Sequence, residues 1–375
     1  MTEQPPRVLH VVGAMNLGGA ETMVMNLYRS IDRTRLQFDF LAFTGSESAY
    51  DAEIGGLGGR ILTVPPPGDA GYRQSLAAMT RMMGADGPFH VVHAHVAHAS
   101  SVAMRAACKA EVPVRVTHAH STGSVGGSLL RRRAYFAVAR RVITRNATVL
   151  AGCGEDAGRY LFGKQWSERG VLIRNSIDVA AFLPGPDRSS DALRAQLGVG
   201  AETLLLGSVA RMEPVKNHEF LIQVVRAARA AGLDVVLALV GDGSERGAVE
   251  AAVAGSCLED RVRFLGLRHD VPDLMRAFDV HLLPSRREGL PVVVVEAQAA
   301  GTPSLVSSRV TAEVDLGLGL VRYLDIGDVA PWVEAIGQVG RARPSAEEIE
   351  PALASAGYDV STSVDRLYHL YGLTP

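Results

Sequence analysis

Short runs of apolar residues recur along the chain, and each run is followed by a segment long enough to form a helix. In the first half they extend from Val8–Val12 to Val171–Ile173, and in the second half from Leu204–Val209 to Ser304–Val306. Continuous Val, Ile and Leu runs are typical of strands buried on both faces, and alternation with helices implies parallel pairing. The pattern therefore predicts an α/β fold with seven strands in the first half and five in the second, each half a doubly wound parallel sheet.

A turn-rich stretch, Leu183–Ser190, interrupts this alternation and separates the two halves. A chain of 375 residues is also longer than one hydrophobic core usually supports. We therefore predict an N-terminal Rossmann-like domain over residues 1–180 and a C-terminal one over residues 181–355. The remaining residues, 356–375, are predicted to form a helix that packs back on the N-terminal domain.

Composition and charge exclude several classes of protein. With 47% hydrophobic and 21% charged residues the chain is of the ordinary globular type, and its formal net charge of −2 gives no reason to expect nucleic acid as a partner. The three cysteines form no CxxC pair, which favours a reduced compartment. The N-terminus lacks the pattern of a signal peptide and no run of about 18 apolar residues occurs. These features predict a cytoplasmic protein.

Glycines occupy the loop between the first predicted strand and its helix, in the segment Gly13–Glu21. Gly18 and Gly19 let the backbone approach an anion, and the following helix would present free N–H groups at its positive end. The loop is neither GxGxxG nor a P-loop, which weakens the dinucleotide and nucleoside-triphosphate interpretations. From the residues alone, an anion-binding loop and a simple tight turn stay equally open.

Two cations follow the first strand of the second half, Arg211 and Lys216. They precede a predicted helix at about residues 217–231, where strand ends of an α/β sheet usually form a ligand site. Two cations beside a helix N-terminus can hold a diphosphate and stabilise the charge that develops on it as a leaving group. The alternative is an exposed charged loop.

Two carboxylates eight residues apart, Glu288 and Glu296, flank the start of another predicted helix at about residues 289–300. Between them, Gly289 and Leu290 offer backbone N–H donors at the predicted helix N-terminus. Glu296 lies within an apolar sequence, where a carboxylate with no role would be costly to bury. The spacing does not stack the two carboxylates on a helix, but they could contact different parts of one elongated ligand.

Taken in order, these segments resemble the family 4 glycosyltransferases. The resemblance runs over nearly the whole chain, and its motifs are Gly18-Gly19-Ala20-Glu21, Asn175-Ser176-Ile177-Asp178, Arg211…Lys216, Val240-Gly241-Asp242-Gly243, Val262–Gly266 and Glu288-x7-Glu296 followed by Gly301-Thr302-Pro303. It implies a GT-B fold, with two Rossmann-like domains facing each other across a cleft. The family transfers a sugar from a nucleotide-sugar donor with retention of configuration, usually without a metal. No Asp-x-Asp metal signature occurs in this sequence, so we expect neither a metal nor another cofactor.

The resemblance also assigns roles to residues. Arg211 and Lys216 would bind the donor diphosphate, Glu288 would contact the transferred sugar and Glu296 would hold the nucleotide ribose. The remaining donor-binding residues that it implies are Gly18, Gly19, Gly241, Phe264, Leu265, Gly289 and Leu290. The catalytic set comprises Arg211, Lys216, Glu288 and a functional histidine near the donor sugar.

Histidines cluster after two predicted strands of the first half. His93, His95 and His98 are interpreted as structural residues at a strand end, and metal binding by the His-x-His pairs is the less favoured alternative. The family places its functional histidine after the next strand, which here means His120, or His118 if the register differs.

The segment Arg131–Arg145 carries six arginines and no acidic residue, in an amphipathic pattern. It could contact an anionic membrane at its inner face, or it could be a solvated helix surface. We predict transfer from a UDP-sugar to a glycan or lipid-linked acceptor, with a small natural-product acceptor as the alternative. A Rossmann oxidoreductase and a nonenzymatic nucleotide-binding protein are the rival classes; the first lacks its GxGxxG turn, and the second would not need both cations and both carboxylates.

Overall fold

The computed structural model describes residues 5–121, 123, 129–185, 190–340 and 342–373, with the backbone alone described for 129–132. The chain forms two units. One comprises Met1–Ile177 together with Asp359–Pro375, and the other comprises Asp178–Tyr358. The first unit thus ends at Ile177 rather than residue 180, and the C-terminal segment joins it from Asp359. Of the turn-rich stretch, residues 186–189 lie outside the described part of the chain.

The first unit is built on a parallel sheet of seven strands in the order β3-β2-β1-β4-β5-β6-β7. The strands are β1 (Arg7–Val12), β2 (Gln37–Ala42), β3 (Ile61–Thr63), β4 (Val91–Ala94), β5 (Val114–Ala119), β6 (Val149–Gly152) and β7 (Gly170–Leu172). Every residue of β2 is buried, as expected for a strand covered by helices on both faces. The seven predicted strands of this half are therefore confirmed.

The helices of the first unit alternate with these strands. They are α1 (Gly19–Ser30), α2 (Asp51–Gly56), α3 (Pro67–Ala70), α4 (Tyr72–Asp86), α5 (Ser100–Lys109), α6 (Leu129–Asn146), α7 (Glu155–Phe162) and α8 (Lys164–Arg169). The last helix of the chain, α17 (Val360–Leu370), packs against α1 and shares its apolar core with Tyr28, Phe38 and Phe40. The C-terminal segment is thus part of the first hydrophobic core.

The second unit contains a parallel sheet of six strands in the order β10-β9-β8-β11-β12-β13. The strands are β8 (Leu204–Val209), β9 (Val235–Val240), β10 (Val262–Gly266), β11 (Val280–Leu283), β12 (Ser304–Ser307) and β13 (Val321–Leu324). The prediction of five strands was wrong because it missed β13. This strand forms an edge of the sheet, and its sequence is Val-Arg-Tyr-Leu. It therefore lacks the continuous apolar run of a central strand.

Helices cover this second sheet as well, around a core that includes Trp332 and Phe220. They are α9 (Val179–Phe182), α10 (Asp191–Gln196), α11 (His218–Ala230), α12 (Arg246–Gly255), α13 (Val271–Ala277), α14 (Val292–Ala299), α15 (Ala330–Gly337) and α16 (Ala346–Ala356). The helix predicted at 289–300 begins only at Val292. Pro291 precedes its first residue, and proline is well suited to this boundary because its fixed φ suits the start of a helix.

Each sheet reverses its strand order once, between β1 and β4 in the first unit and between β8 and β11 in the second. In open α/β sheets, ligands bind beyond the carboxyl ends of the strands at such a reversal, because the flanking loops diverge there and leave a crevice. Functional side chains are therefore expected at these two points.

Candidate functional site

In the second unit, the loop after β8 begins at the strand reversal and carries both predicted cations. Arg211 lies two residues after the end of the strand and is exposed, while Lys216 ends a short 3-10 turn, Pro214–Lys216. Asn217 then adopts a left-handed conformation, with φ 58° and ψ 44°, and precedes the first residue of α11. The chain thus reverses sharply at Asn217, which holds Lys216 beside the strand ends.

The loop after β11 lies against this loop and supplies the carboxylate partner of Lys216. Lys216 Nζ donates to Glu288 Oε1 at 2.6 Å, and both side chains are largely buried. Two contacts fix the spacing of the loops: Arg286 Nη2 donates to Asn217 Oδ1 at 3.0 Å, and Arg286 N donates to the Val215 carbonyl at 2.8 Å. The structure therefore brings Lys216 and Glu288 together as a charged pair at the reversal between β8 and β11.

The later start of α14 changes the position of three predicted residues. Gly289 and Leu290 lie in the loop before the helix, so their N–H groups are not at its N-terminus, and the prediction that they were was wrong. Glu288 lies four residues before Val292 in the same loop. The loop follows Pro284, whose carbonyl accepts a hydrogen bond from Asn217 Nδ2.

Glu296 lies on α14 itself and is partly buried. Its neighbours Val294, Val295 and Ala297 are fully buried, and burial raises the pKa of the Glu296 carboxyl to about 7. A carboxyl group with such a pKa changes charge within the physiological range, unlike an ordinary surface glutamate. It can accept hydrogen bonds from hydroxyl groups when ionised.

The remaining residues of the second unit that were predicted to bind a donor lie on or after β9 and β10. Gly241 follows β9 at φ +126°, and a Cβ there would meet the Ala210 carbonyl oxygen at 2.1 Å. Glycine is therefore required for the close approach of two backbones, whatever else this loop does. Phe264 and Leu265 lie on the edge strand β10, both partly buried, and the Arg246 guanidinium lies 5.8 Å from the centre of the Phe264 ring.

In the first unit, Gly18 and Gly19 connect β1 to α1. Gly18 is extended and precedes the first helical residue, and a Cβ on it would collide with the Glu21 carboxylate at 2.4 Å. A Cβ on Gly19 would meet nothing within 4 Å. The helix begins at Gly19, and its first N–H groups lie beside this loop.

The strand reversal of the first unit carries a cluster of five histidines. His10 lies on β1, His93 lies on β4 directly opposite His10, and His118 lies on β5. His95 lies two residues after His93, just beyond the end of β4, and His120 lies two residues after His118, just beyond the end of β5. Because side chains two residues apart point to the same side of a strand, both pairs are in ring contact: His93 stacks on His95 with ring centres 4.3 Å apart, and His118 and His120 are tilted against each other with centres 4.0 Å apart.

Three of these histidines form a chain of ring-to-ring contacts that ends on an amide. His10 Nδ1 lies 3.0 Å from His95 Nε2, and His95 Nδ1 lies 2.9 Å from His120 Nε2. His120 Nδ1 lies 3.2 Å from Asn175 Oδ1. Because an amide oxygen can only accept, His120 Nδ1 carries the proton, His95 Nδ1 donates to His120, and His10 Nδ1 donates to His95.

The other two histidines are anchored outside the chain of rings. His118 Nε2 donates to the Ile173 carbonyl at 2.9 Å, and His93 Nδ1 lies 2.8 Å from the hydroxyl of Tyr371. All five rings are buried or partly buried, and burial lowers their pKa values: to about 3 for His10, to about 4 for His120, and well below 6.5 for the others. The cluster is therefore uncharged at neutral pH.

His98 has a different environment, as expected for a structural residue. Its ring stacks on Phe136 of α6, with centres 3.8 Å apart and planes 7° apart, and it is largely buried. Among the described arginine side chains of α6, Arg133, Arg141 and Arg145 are exposed. The side chains of Arg131 and Arg132 lie outside the described residues.

Several residues in these two clusters were missed by the sequence reasoning. Arg286 and Asn217 hold the two loops of the second unit together, and His10 and Asn175 complete the chain of histidines. His10 is flanked by apolar residues within a strand, so only its pairing with β4 reveals its role. Asn175 belongs to a motif that the sequence analysis singled out without assigning it a contact.

The fold and the sequence together define the class of this protein: the chain belongs to the family 4-like glycosyltransferases and has their GT-B fold. Residues 18–176 match the glycosyl transferase 4-like domain, and residues 203–340 match the glycosyl transferases group 1. The chain is 42% identical to "Putative glycosyltransferase EpsF" of Bacillus subtilis, over 100% of this chain and 98% of the relative. It is therefore a glycosyltransferase, as the resemblance predicted.

Other relatives and solved structures agree with this class. The D-inositol 3-phosphate glycosyltransferase of Mycolicibacterium smegmatis is 27% identical over 76% of this chain and 67% of its own length. The crystal structure of Anabaena HepE in complex with UDP and glucose superposes with a TM-score of 0.79 at 22% identity, covering 98% of this chain and 99% of that one. The last comparison establishes the fold alone. Among the described residues, no helix is long and apolar enough to cross a membrane.

Proposed function

We propose that this glycosyltransferase transfers a sugar from a UDP-sugar, with retention of configuration, to a hydroxyl of a glycan or lipid-linked acceptor. The observation that carries the proposal is the Lys216–Glu288 pair at the strand reversal of the second unit, with Arg211 at the start of the same loop. A donor diphosphate needs cations at such a position, and a sugar hydroxyl needs a nearby acceptor such as a carboxylate.

In this mechanism the departing UDP is stabilised by positive charge that is already in place. Lys216 and Arg211 bind the diphosphate oxygens, where negative charge accumulates as the bond to the anomeric carbon breaks. Glu288 fixes the Lys216 ammonium and accepts a hydrogen bond from the transferred sugar. Glu296 accepts hydrogen bonds from the ribose, and Phe264 and Leu265 lie near the base.

Retention follows if the acceptor hydroxyl enters on the face from which UDP departs. The hydroxyl oxygen then bonds to the anomeric carbon as that carbon gains oxocarbenium character, and its proton passes to the departing phosphate. No protein carboxylate forms a covalent bond in this scheme, unlike the two-step scheme of retaining glycosidases. His120 contacts the transferred sugar, with His118 as the second candidate.

The names of similar proteins support the choice of donor and acceptor. HepE of Anabaena was crystallised with UDP and with UDP-glucose. A relative from Escherichia coli, 31% identical over 36% of this chain and 36% of its own length, is named a UDP-Gal:alpha-D-GlcNAc-diphosphoundecaprenol galactosyltransferase. A small acceptor is the second candidate, because the relative from Streptomyces kanamyceticus, 38% identical over 34% of this chain and 35% of its own length, is named a 2-deoxystreptamine glucosyltransferase.

A panel of nucleotide sugars tests the proposed donor. A UDP-sugar should raise the unfolding temperature of the protein and should be hydrolysed slowly without acceptor, because only a ligand that binds the native state stabilises it. GDP- and ADP-sugars should do neither. Stabilisation by no member of the panel, or by a non-uridine sugar alone, would contradict the proposed donor.

Transfer should not need a metal ion. Because Arg211 and Lys216 supply the positive charge at the leaving group, saturating EDTA should change the initial rate by less than about twofold. Activity measured in chelated buffer, with Mg²⁺ and Mn²⁺ restored in separate reactions, checks this. A strict requirement for either ion would show that the two cations are not sufficient.

The exposed surface of α6 supports the lipid-linked acceptor. Arg133, Arg141 and Arg145 are exposed on this helix, and Tyr135 and Val138 between them are 50% and 63% exposed. Exposed arginines interspersed with exposed apolar side chains are suited to the interface of an anionic membrane. Phe136, in contrast, is engaged with His98 and is not available for insertion.

Binding to vesicles tests this surface. The protein should sediment with phosphatidylglycerol vesicles at low salt and be released at high salt, since each arginine contributes about 1 kcal/mol and is screened by ions. The triple variant Arg133→Glu, Arg141→Glu, Arg145→Glu should lose binding. A matched triple change at Arg226, Arg322 and Arg366, which are exposed elsewhere, should keep it. Equal binding by both triples, or none by the wild type, would favour a small soluble acceptor.

A further inference from the structure

The histidine cluster of the first unit contains more nitrogen ligands than one contact to a sugar needs. One ring nitrogen of each of His95, His118 and His120 lies within 4.8 Å of the others. Burial keeps these rings neutral, and a neutral imidazole offers a lone pair on one nitrogen. The three residues therefore form a compact set of the ligand type that Zn²⁺, Ni²⁺ and Cu²⁺ prefer.

His118 gives the strongest indication that a cation belongs there. The Ile173 carbonyl can only accept, so His118 Nε2 must carry the ring proton, and Nδ1 keeps its lone pair. Within the described residues, Nδ1 is buried and has no hydrogen-bond partner. A buried lone pair without a donor is costly, and a metal ion satisfies it directly.

The outer nitrogens of two of the three rings meet fixed acceptors, and that of the third meets a ring nitrogen that accepts once His10 changes tautomer; acceptors at these positions orient histidines toward a metal. His118 Nε2 meets the Ile173 carbonyl, His120 Nδ1 meets Asn175 Oδ1, and His95 Nε2 meets His10 Nδ1. Metal-binding histidines regularly donate their second ring N–H to a carbonyl or similar acceptor, which fixes the ring and makes it a better ligand.

We propose that His95, His118 and His120 form a site for a divalent transition metal of the zinc type, with the fourth position open to water or a ligand. The ion is bound by His95 Nδ1, His118 Nδ1 and His120 Nε2. Tetrahedral Zn–N bonds of about 2.0 Å place nitrogens about 3.3 Å apart, so the 2.9 Å contact between His95 and His120 opens slightly.

Binding at this site releases no proton. His95 moves its proton from Nδ1 to Nε2, where it donates to His10 Nδ1, and the proton of His10 moves from Nδ1 to Nε2. A second trio, His10, His93 and His95, is also compact, but an ion there leaves the buried His118 Nδ1 lone pair without a partner among the described residues. The trio of His95, His118 and His120 is therefore the favoured one.

The ion is expected to inhibit transfer rather than support it. This consequence rests on the proposed function, because it follows from the placement of His120 beside the transferred sugar. A metal on His120 Nε2 would prevent that ring from contacting the sugar. The binding site itself does not depend on this argument, since it is built from residues of the first unit alone.

Titration of EDTA-stripped protein with Co²⁺ and Zn²⁺, in the absence of donor and acceptor, tests the site. We expect one ion per chain, a visible Co²⁺ spectrum typical of tetrahedral coordination, and its loss on competition with Zn²⁺. His118→Gln and His95→Gln should each weaken binding by about a hundredfold or more. His98 is a buried histidine outside the trio, so His98→Gln should bind Co²⁺ and Zn²⁺ as the wild type does.

Three results would overturn the proposal. These are the absence of saturable binding to the wild type, unchanged affinity in both His118→Gln and His95→Gln, and loss of binding in His93→Gln while His118→Gln is unaffected. The last result would place the ion in the other trio. Thermal unfolding of each variant shows whether it is folded, and using two ligand variants keeps the test valid if one fails to fold.

The inhibition is measured separately. Zn²⁺ should lower the transfer rate of the wild type at the concentration at which it binds, and EDTA should restore the rate. If the ion binds but the rate does not change, the site stands and the placement of His120 beside the sugar is wrong. If no transfer is found with any donor, the binding titration still decides whether the site exists.

Discussion

Replacing Lys216 with Ala should cause a large loss of activity, because it removes a cation that stabilises the leaving group and that pairs with Glu288. Affinity for UDP should fall by several-fold to a hundredfold, corresponding to about 1–3 kcal/mol for a charged hydrogen bond. The transfer rate should fall further, by about 10²–10³, because the interaction strengthens as charge develops on the diphosphate. The largely buried Glu288 carboxylate also loses its cation, which lowers stability.

Calorimetry with UDP and initial rates of transfer measure the two losses separately. Lys216→Arg should restore part of the affinity, since it keeps the charge but not the shape of the ammonium group. Lys164→Ala, which removes an exposed lysine of the first unit, should change neither quantity. Arg211→Ala should weaken UDP binding as Lys216→Ala does. Unchanged affinity in both Arg211→Ala and Lys216→Ala would remove the basis of the proposed leaving-group site.

The two carboxylates of the second unit should separate binding from turnover. Glu296→Gln should weaken UDP and UDP-sugar alike, because the ribose is common to both ligands. Glu288→Gln should leave UDP affinity within about threefold and lower the transfer rate by about 10²-fold or more, because Glu288 contacts the transferred sugar, which UDP lacks. Equal loss of UDP affinity in the two variants would contradict this division.

Glu296 should also make UDP binding depend on pH. Burial raises the pKa of its carboxyl to about 7, so at pH 6 most of the free protein carries it protonated and at pH 8 most carries it ionised. Because the ionised form accepts the ribose hydroxyls, affinity should rise by up to about tenfold from pH 6 to pH 8. Glu296→Gln should remove this contribution and leave only the pH dependence of affinity that comes from titration of the UDP phosphate. An identical slope in both proteins would show that Glu296 does not bind the ribose.

The sequence predicted the central strands well because they are continuous apolar runs buried on both faces. It missed β13 because an edge strand needs apolar side chains on fewer of its positions. It also began α14 too early, because Gly289 and Leu290 are compatible with helix and only Pro291 marks the boundary. These errors concern the ends and edges of elements, where local pattern is weakest.

For the sites, the sequence identified residue types but not their partners. Lys216 and Glu288 are 72 positions apart, and their pairing depends on β8 and β11 being neighbours across a strand reversal. The histidines after β4 and β5 were noticed, yet His10 became part of the cluster only through the register of β1 with β4. Long-range pairing of strands, which no local pattern specifies, therefore creates both sites.

Retaining transfer from a UDP-sugar is tested most directly by time-resolved ¹H NMR of donor hydrolysis by the wild-type protein. With a UDP-α-sugar, the account predicts that the α-anomer of the free sugar appears first and that the β-anomer follows only by slow mutarotation. Lys216→Ala, recorded alongside, should give no signal above the uncatalysed rate. Appearance of the β-anomer first would contradict retention, and hydrolysis of equal rate in Lys216→Ala would contradict the assigned site.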